Sequence, residues 1–128
     1  MIQNFALVGI GGALGAMARD GLALGVGRFW FGTFPVATLV ANVLGSLAMG
    51  VLVGLLARFL PPHAEDIRLF LAVGVLGGFT TFSSFSLDTI SLIERGALAQ
   101  AVIYVALSVV VCLIGLYLGL LMTKGGTA

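Results

Sequence analysis

The chain alternates long apolar runs with short polar interruptions, and each run is long enough for the ~20 residues a membrane-spanning helix needs. The first runs from Asn4 to Val26, with Arg19 and Asp20 interrupting its second half. Arg28 and the aromatic cluster Phe29-Trp30-Phe31 then mark a membrane interface, where tryptophan anchors well. The second runs from Pro35 to Leu60, with proline tolerated in its first turn, and Pro61-Pro62 ends it. A polar loop from His63 to Arg68 follows. The third runs from Ile67 to Leu92, Glu94-Arg95-Gly96 makes a tight turn, and the fourth runs from Leu98 to Met122 before a frayed tail from Lys124 to Ala128.

The third run carries an irregularity that the others lack. Gly77-Gly78 is followed by Phe79-Thr80-Thr81-Phe82-Ser83-Ser84-Phe85-Ser86, where a lipid-spanning helix would carry leucines. Each glycine weakens a helix by roughly 1 kcal/mol relative to alanine. Clustered hydroxyls invite side-chain to backbone bonds that compete with the helical ladder. A break is therefore expected at mid-membrane, from Gly77 through Thr81. Broken backbone survives there only when buried in protein or lining an aqueous path.

Composition excludes a soluble domain. Of 128 residues, 60% are hydrophobic and only 9% charged, and the mean hydropathy is +1.21; soluble domains carry about 25% charged residues. The expected fold is an all-α membrane protein of four transmembrane helices, in a single domain over residues 1–128. The lone cysteine, Cys112, excludes an internal disulfide framework. A net charge of +1 without a basic cluster gives no reason to expect a nucleic-acid partner. No basic region precedes the first apolar run, so a cleaved signal peptide is not expected.

Small residues recur four apart in every span: Gly11 and Gly15, Gly50 and Gly54, Gly74 and Gly78, Gly115 and Gly119. That spacing lets helix backbones approach closely in lipid. Charge is balanced across the membrane. Arg58, Arg68 and Lys124 fall on one side, and Arg19, Arg28 and Arg95 on the other. The positive-inside rule then has no preference, which permits insertion both ways and pairing of two opposed copies.

The polar residues within the spans are the candidates for chemistry. Phe82 and Phe85, three apart, share a helix face, with Ser83 and Ser84 beside them. Ring edges are electropositive and hydroxyls donate, so the set makes a path an anion can enter and leave. The competing reading is packing rings and back-bonded hydroxyls. Tyr104, Ser108 and Cys112 form a donor stripe at i, i+4 and i+8 on the fourth span. Asn42, a lone amide, either donates to an ion or joins helices. Asp88 is an intramembrane acid near a span end, suited to a solvated mouth, a link to Tyr104 or proton relay. Arg19 is the deepest cation and draws anions into a vestibule, although Asp20 partly offsets its field. A small multidrug antiporter would need an acid at mid-span, a scaffold subunit an exposed partner motif, and an enzyme a nucleophile-base pair or metal cluster. None of these is found in the sequence.

Taken together, these residues resemble the Fluc (CrcB-type) fluoride channels. The resemblance covers nearly the whole chain. It rests on Gly12-Ala-Leu-Gly15-Ala-Met-Ala-Arg19, Thr38-Leu-Val-Ala-Asn42 and, most specifically, Gly77-Gly-Phe-Thr-Thr-Phe-Ser-Ser-Phe-Ser86. It implies passive fluoride export across a bacterial inner membrane by an antiparallel, dual-topology homodimer with two pores and no enzymatic activity. By position, Phe82 and Phe85 match the phenylalanines whose edges flank fluoride, and Asn42 the pore asparagine. Ser83 and Ser84 match hydroxyls beside the pore, and Tyr104, Ser108 and Cys112 the polar track of the fourth helix. Gly77 and Thr80 match residues whose backbone carbonyls, two from each subunit, hold a structural sodium ion. Arg19 matches a vestibule cation. The chain departs from the family pattern in Cys112 for serine, Ser84 for threonine, Asp88 for glutamate, Ala37 for glycine, and Asp20 for an aromatic residue.

Overall fold

A computed structural model describes residues 1–124 except Phe31 and Thr33, with nothing said of the Lys124 side chain. Part of the expected aromatic cluster (Phe31) and the tail beyond Lys124 therefore lie outside the described residues. The chain forms α1 (Ile2–Gly27), α2 (Val36–Phe59), α3 (residues 64–79), α4 (Ser83–Glu94) and α5 (Leu98–Lys124). Four stretches are long and apolar enough to cross a membrane: α1, α2, Ala64–Glu94 and Leu98–Thr123. The protein is thus an all-helical, multi-pass integral membrane protein, and the four spans fall within a few residues of those expected.

Local chemistry accounts for the helix ends. Pro35 caps α2 from outside the helix, leaving Val36 as its first residue. Leu60 ends α2 in the left-handed region at φ 43°, its N–H still bonded to the Leu56 carbonyl. The following Pro61 disfavours right-handed helical backbone at Leu60. Gly96, at φ 81°, supplies the left-handed residue of the α4–α5 turn. Trp30 closes the turn after α1 by donating from Nε1 to the Phe34 carbonyl at 2.8 Å. The expected polar loop is shorter than its sequence suggests, because Ala64–Ile67 is already helical. Glu65 and Asp66 there lie in a first turn, where the helix dipole favours negative charge. Glu65 also pairs with Arg68 at 2.7 Å on an exposed surface, a contact worth little.

Two tightly packed helix pairs make the frame. In the first, α1 lies on α3: Gly11 faces Phe70 and Gly74, Gly15 faces Val75 and Phe79, and Gly78 faces Gly12. In the second, α2 lies on α5: Gly115 faces Val43 and Leu47, Gly50 faces Leu116 and Gly119, and Gly54 faces Leu120 and Thr123. Residue numbers rise together in both contacts, so each pair is parallel, as alternate spans must be. All four small-residue pairs read from the sequence sit in these interfaces. A Cβ at Gly74 would lie 2.9 Å from the Gly11 Cα, and one at Gly119 would lie 2.7 Å from the Val51 amide nitrogen. Few large side chains are buried besides Leu92 and Tyr104, and Phe5, Phe82, Leu113 and Met122 are among many apolar residues left exposed.

The break in the third span differs from expectation in place. Gly77–Phe79 is helical, and the helix fails at Thr80, which is extended at ψ 160°. Regular helix resumes at Ser83. Gly78 serves close packing on α1, and the hydroxyls interrupt the ladder. Before the break, Arg68–Leu76 takes the wider π-helical winding, which the sequence did not signal.

Backbone contact at the glycines sets distinct expectations for two substitutions. Gly119→Ala should cost about 1–3 kcal/mol through forced separation of α2 and α5. Gly21→Ala, with no atom within 4 Å of the added carbon, should be neutral or stabilise by up to about 1 kcal/mol. Thermal unfolding of the two variants in detergent measures the difference.

Candidate functional site

The site is organised by one side chain bonded to one peptide. Asn42, in the second turn of α2, donates from Nδ2 to the Thr81 carbonyl at 3.0 Å. Its Oδ1 accepts the Thr81 N–H at 2.7 Å. An amide side chain thus pairs with the broken backbone as a neighbouring strand would. Asn42 gains the partners that a buried amide requires, and the Thr81 peptide gains those that lipid cannot supply. One Nδ2 hydrogen remains for another acceptor.

Hydroxyls complete the interruption. Thr80 Oγ1 donates back to the Leu76 carbonyl at 2.9 Å, and Thr81 Oγ1 accepts the Ser84 N–H at 3.1 Å, opening α4. Further on, Ser86 Oγ donates to the Phe82 carbonyl at 3.0 Å. These bonds redirect specific donors. In an unbroken helix the Thr81 N–H would serve the Gly77 carbonyl, and the Ser84 N–H the Thr80 carbonyl. Both are instead bonded to side-chain oxygens. The Gly77 and Thr80 carbonyls therefore lose their helical donors together.

A groove of about 550 Å³ opens beside the break. Asn42 and Ser46 line it from α2, Gly77 and Thr80 from the end of α3, Phe82 and Phe85 from the break and α4, and Ser108 and Cys112 from α5. The Phe82 and Phe85 rings touch, with centroids 5.5 Å apart and a tilt of 45°. Phe82 is 78% exposed and so has one face open. Ser108 is only 7% exposed, and among the described residues its hydroxyl has no hydrogen-bond partner. A buried orphan hydroxyl on the wall of a groove is a donor awaiting an acceptor.

A second cavity, of about 300 Å³, lies on the other side of the break. Arg19, Asp20, Thr38, Thr81 and Ser84 contribute its polar lining. Arg19 and Ser84 thus belong together, apart from the groove. Ser83 is exposed and lines neither cavity, although its hydroxyl lies 3.3 Å from Thr81 Oγ1. Tyr104, the top of the α5 stripe, is 0% exposed and also lines neither. Its ring backs Phe85, with centroids 5.1 Å apart, and its hydroxyl donates to Asp88 at 3.2 Å. That bond realises the link to Asp88 weighed in the sequence. The carboxylate is engaged near the end of its span, unlike the mid-span acid an antiporter needs.

Sequence reasoning passed over two features. Thr38, Asn42 and Ser46 form an i, i+4, i+8 polar stripe on α2, a counterpart to Tyr104, Ser108 and Cys112 on α5. Its spacing was available as a signal. The role of Thr81 had no such signal, because its partner Asn42 is 39 positions away.

Known proteins of the same kind extend over nearly the whole chain. The family model described as "CrcB-like protein, Camphor Resistance (CrcB)" matches residues 6–120. A protein of Rhodospirillum centenum named fluoride-specific ion channel FluC is 52% identical over 122 residues, covering 94% of this chain and 95% of its own. Proteins of the same name from Agrobacterium fabrum and Cereibacter sphaeroides are 49% and 46% identical, covering 91% and 100% of this chain and 93% and 100% of their own. On this likeness along its length, the chain belongs to the CrcB-like family.

Proposed function

We propose that the chain is a fluoride-selective channel of the bacterial inner membrane that lets the anion leave the cytoplasm passively. The buried, unpartnered Ser108 hydroxyl beside Phe82, Phe85 and Cys112 carries this reading, since it marks a groove fitted to receive an acceptor. The names of the relatives supply the identity of the ion. Hydrogen fluoride is neutral and crosses bilayers; once inside it dissociates and traps the anion. The membrane potential drives fluoride out, so the path needs neither ATP nor a coupled proton.

Each residue has a role in that path. Arg19 attracts the anion into the smaller cavity, where Ser84 offers a hydroxyl. In the groove, Asn42 offers its remaining amide hydrogen, and Ser108 and Cys112 a strong and a weak donor. Phe82 and Phe85 present electropositive ring edges without a fixed charge. Several weak sites in series replace water around a strongly hydrated ion while still releasing it. Ser83 acts from the break through its neighbour Thr81, and Tyr104 from behind Phe85, where it holds that ring.

The working unit in this reading is an antiparallel, dual-topology homodimer with two pores. Exposed Phe82, the open groove and the balanced arginines and lysine support it. The Gly77 and Thr80 carbonyls fit a sodium ion at the dimer axis, because both have lost their helical donors and offer neutral oxygens to a hard cation. Two from each protomer would hold it, and the ion would supply charge that fastens the two breaks together.

Fluoride efflux from liposomes, with chloride as the control, tests the central claim. Phe82→Ile should lower fluoride efflux about tenfold or more, a barrier increase of at least about 1.4 kcal/mol, while the dimer persists on size exclusion. Unimpaired efflux would remove Phe82 from the path. The sodium site has a separate readout in dimer stability. Raising sodium to about a hundredfold above its dissociation constant should add about 2.7 kcal/mol to that stability. A dimer indifferent to replacing sodium with N-methylglucamine would exclude the ion.

A further inference from the structure

The two cavities share one lining residue. Thr81 belongs to the wall of the larger groove and to that of the smaller cavity containing Arg19. Its position is fixed from both ends, because Asn42 holds its N–H and its carbonyl. Its side chain is also engaged. Oγ1 accepts the Ser84 N–H at 3.1 Å and lies 3.3 Å from Ser83 Oγ.

We infer that Thr81 is the septum between the vestibule and the pore groove, and that its hydroxyl passes the halide from one to the other. This rests on the fluoride-channel reading and adds a residue that touches the ion. A hydroxyl has one proton and two acceptor lone pairs. The Ser84 N–H occupies one lone pair, and when Ser83 donates, its hydroxyl occupies the other. The Thr81 proton is then left without an acceptor among the described residues and points toward an anion in one cavity. Rotation about the Cβ–Oγ1 bond, with the Ser83 bond released as it turns, moves that proton between the two cavities, while the peptide stays fixed by Asn42. This gives Ser83 a part although it lines neither cavity: its bond turns Thr81 into a donor. It also explains why an amide side chain is used to immobilise this peptide in particular. A septum that drifted would either merge the cavities or seal them.

The simpler role for Thr81 is to cap α4, and three variants separate the two. Thr81→Val keeps the shape and removes the hydroxyl. Thr81→Ser keeps the hydroxyl. Thr81→Asn keeps a good helix cap but replaces the rotatable hydroxyl proton with a rigid, planar amide. Fluoride efflux from liposomes is measured for each beside the wild type, with assembly followed by size exclusion. Losing a hydrogen bond to a charged group predicts that Val lowers efflux about tenfold or more, that Ser stays within about twofold, and that Asn, though assembled, falls as far as Val. Asn conducting like the wild type would overturn the septum and leave only the cap. Val conducting normally would do the same, as would a Ser variant as impaired as Val. Should Val fail to assemble, Ser and Asn decide by the same criteria. A wild-type protein that moves no fluoride would overturn the channel reading itself, a result distinct from any of these.

Discussion

The fold depends on satisfying one interrupted peptide inside lipid. A helix broken at mid-membrane exposes backbone groups for which the bilayer has no partners, each costing several kcal/mol. Asn42 meets that demand at Thr81 with two bonds from a single side chain. The same bonds relieve the cost of burying the amide, so two features unfavourable alone become favourable together. Removing either one leaves the other exposed. That mutual dependence makes the break a fixed structure and keeps it from behaving as a flexible fault.

Glycine packing determines where the break stands. The α1–α3 contact holds the end of α3 through Gly12 and Gly78, and the α2–α5 contact brings Asn42 level with the α5 stripe. In lipid no hydrophobic drive pushes helices together, so closeness must come from small residues that let backbones touch. Gly78 therefore contributes approach and leaves the interruption to the hydroxyls after it. Thr80 and Thr81 act oppositely on the backbone. Thr80 donates back into the helix it ends, and Thr81 accepts from the helix it begins.

Much of this was readable from residue order because the signals are local. Span length, the Leu60-Pro61 stop, glycines four apart and hydroxyls competing with the ladder all act within a turn or two. The displaced break was not readable, since helical glycine and unwound glycine look alike until Gly12 is seen against Gly78. The π-helical winding of Arg68–Leu76 leaves no side-chain signature. Tyr104 was placed on a polar stripe by spacing, yet lies behind Phe85 with its hydroxyl on Asp88. Helical periodicity identifies a shared face, but which neighbour covers each level of that face is a tertiary matter. Asn42 and Thr81 are the extreme case, their meeting set entirely by how α2 crosses the third span.

An open groove gives the final constraint. Phe82 is 78% exposed while the Ser108 hydroxyl nearby is buried without a partner. Within one chain these two facts conflict: the first leaves an aromatic ring uncovered, and the second leaves a donor enclosed but unused. The proposed dimer would resolve both if a second copy covered the ring and narrowed the groove around the donor. The same step would bring two sets of carbonyls without helical donors toward one axis, where a cation between them would neutralise their mutual repulsion. Opposed copies of one chain can do this only if neither orientation in the membrane is preferred. The even division of basic residues across the membrane therefore belongs to the same physical argument as the break.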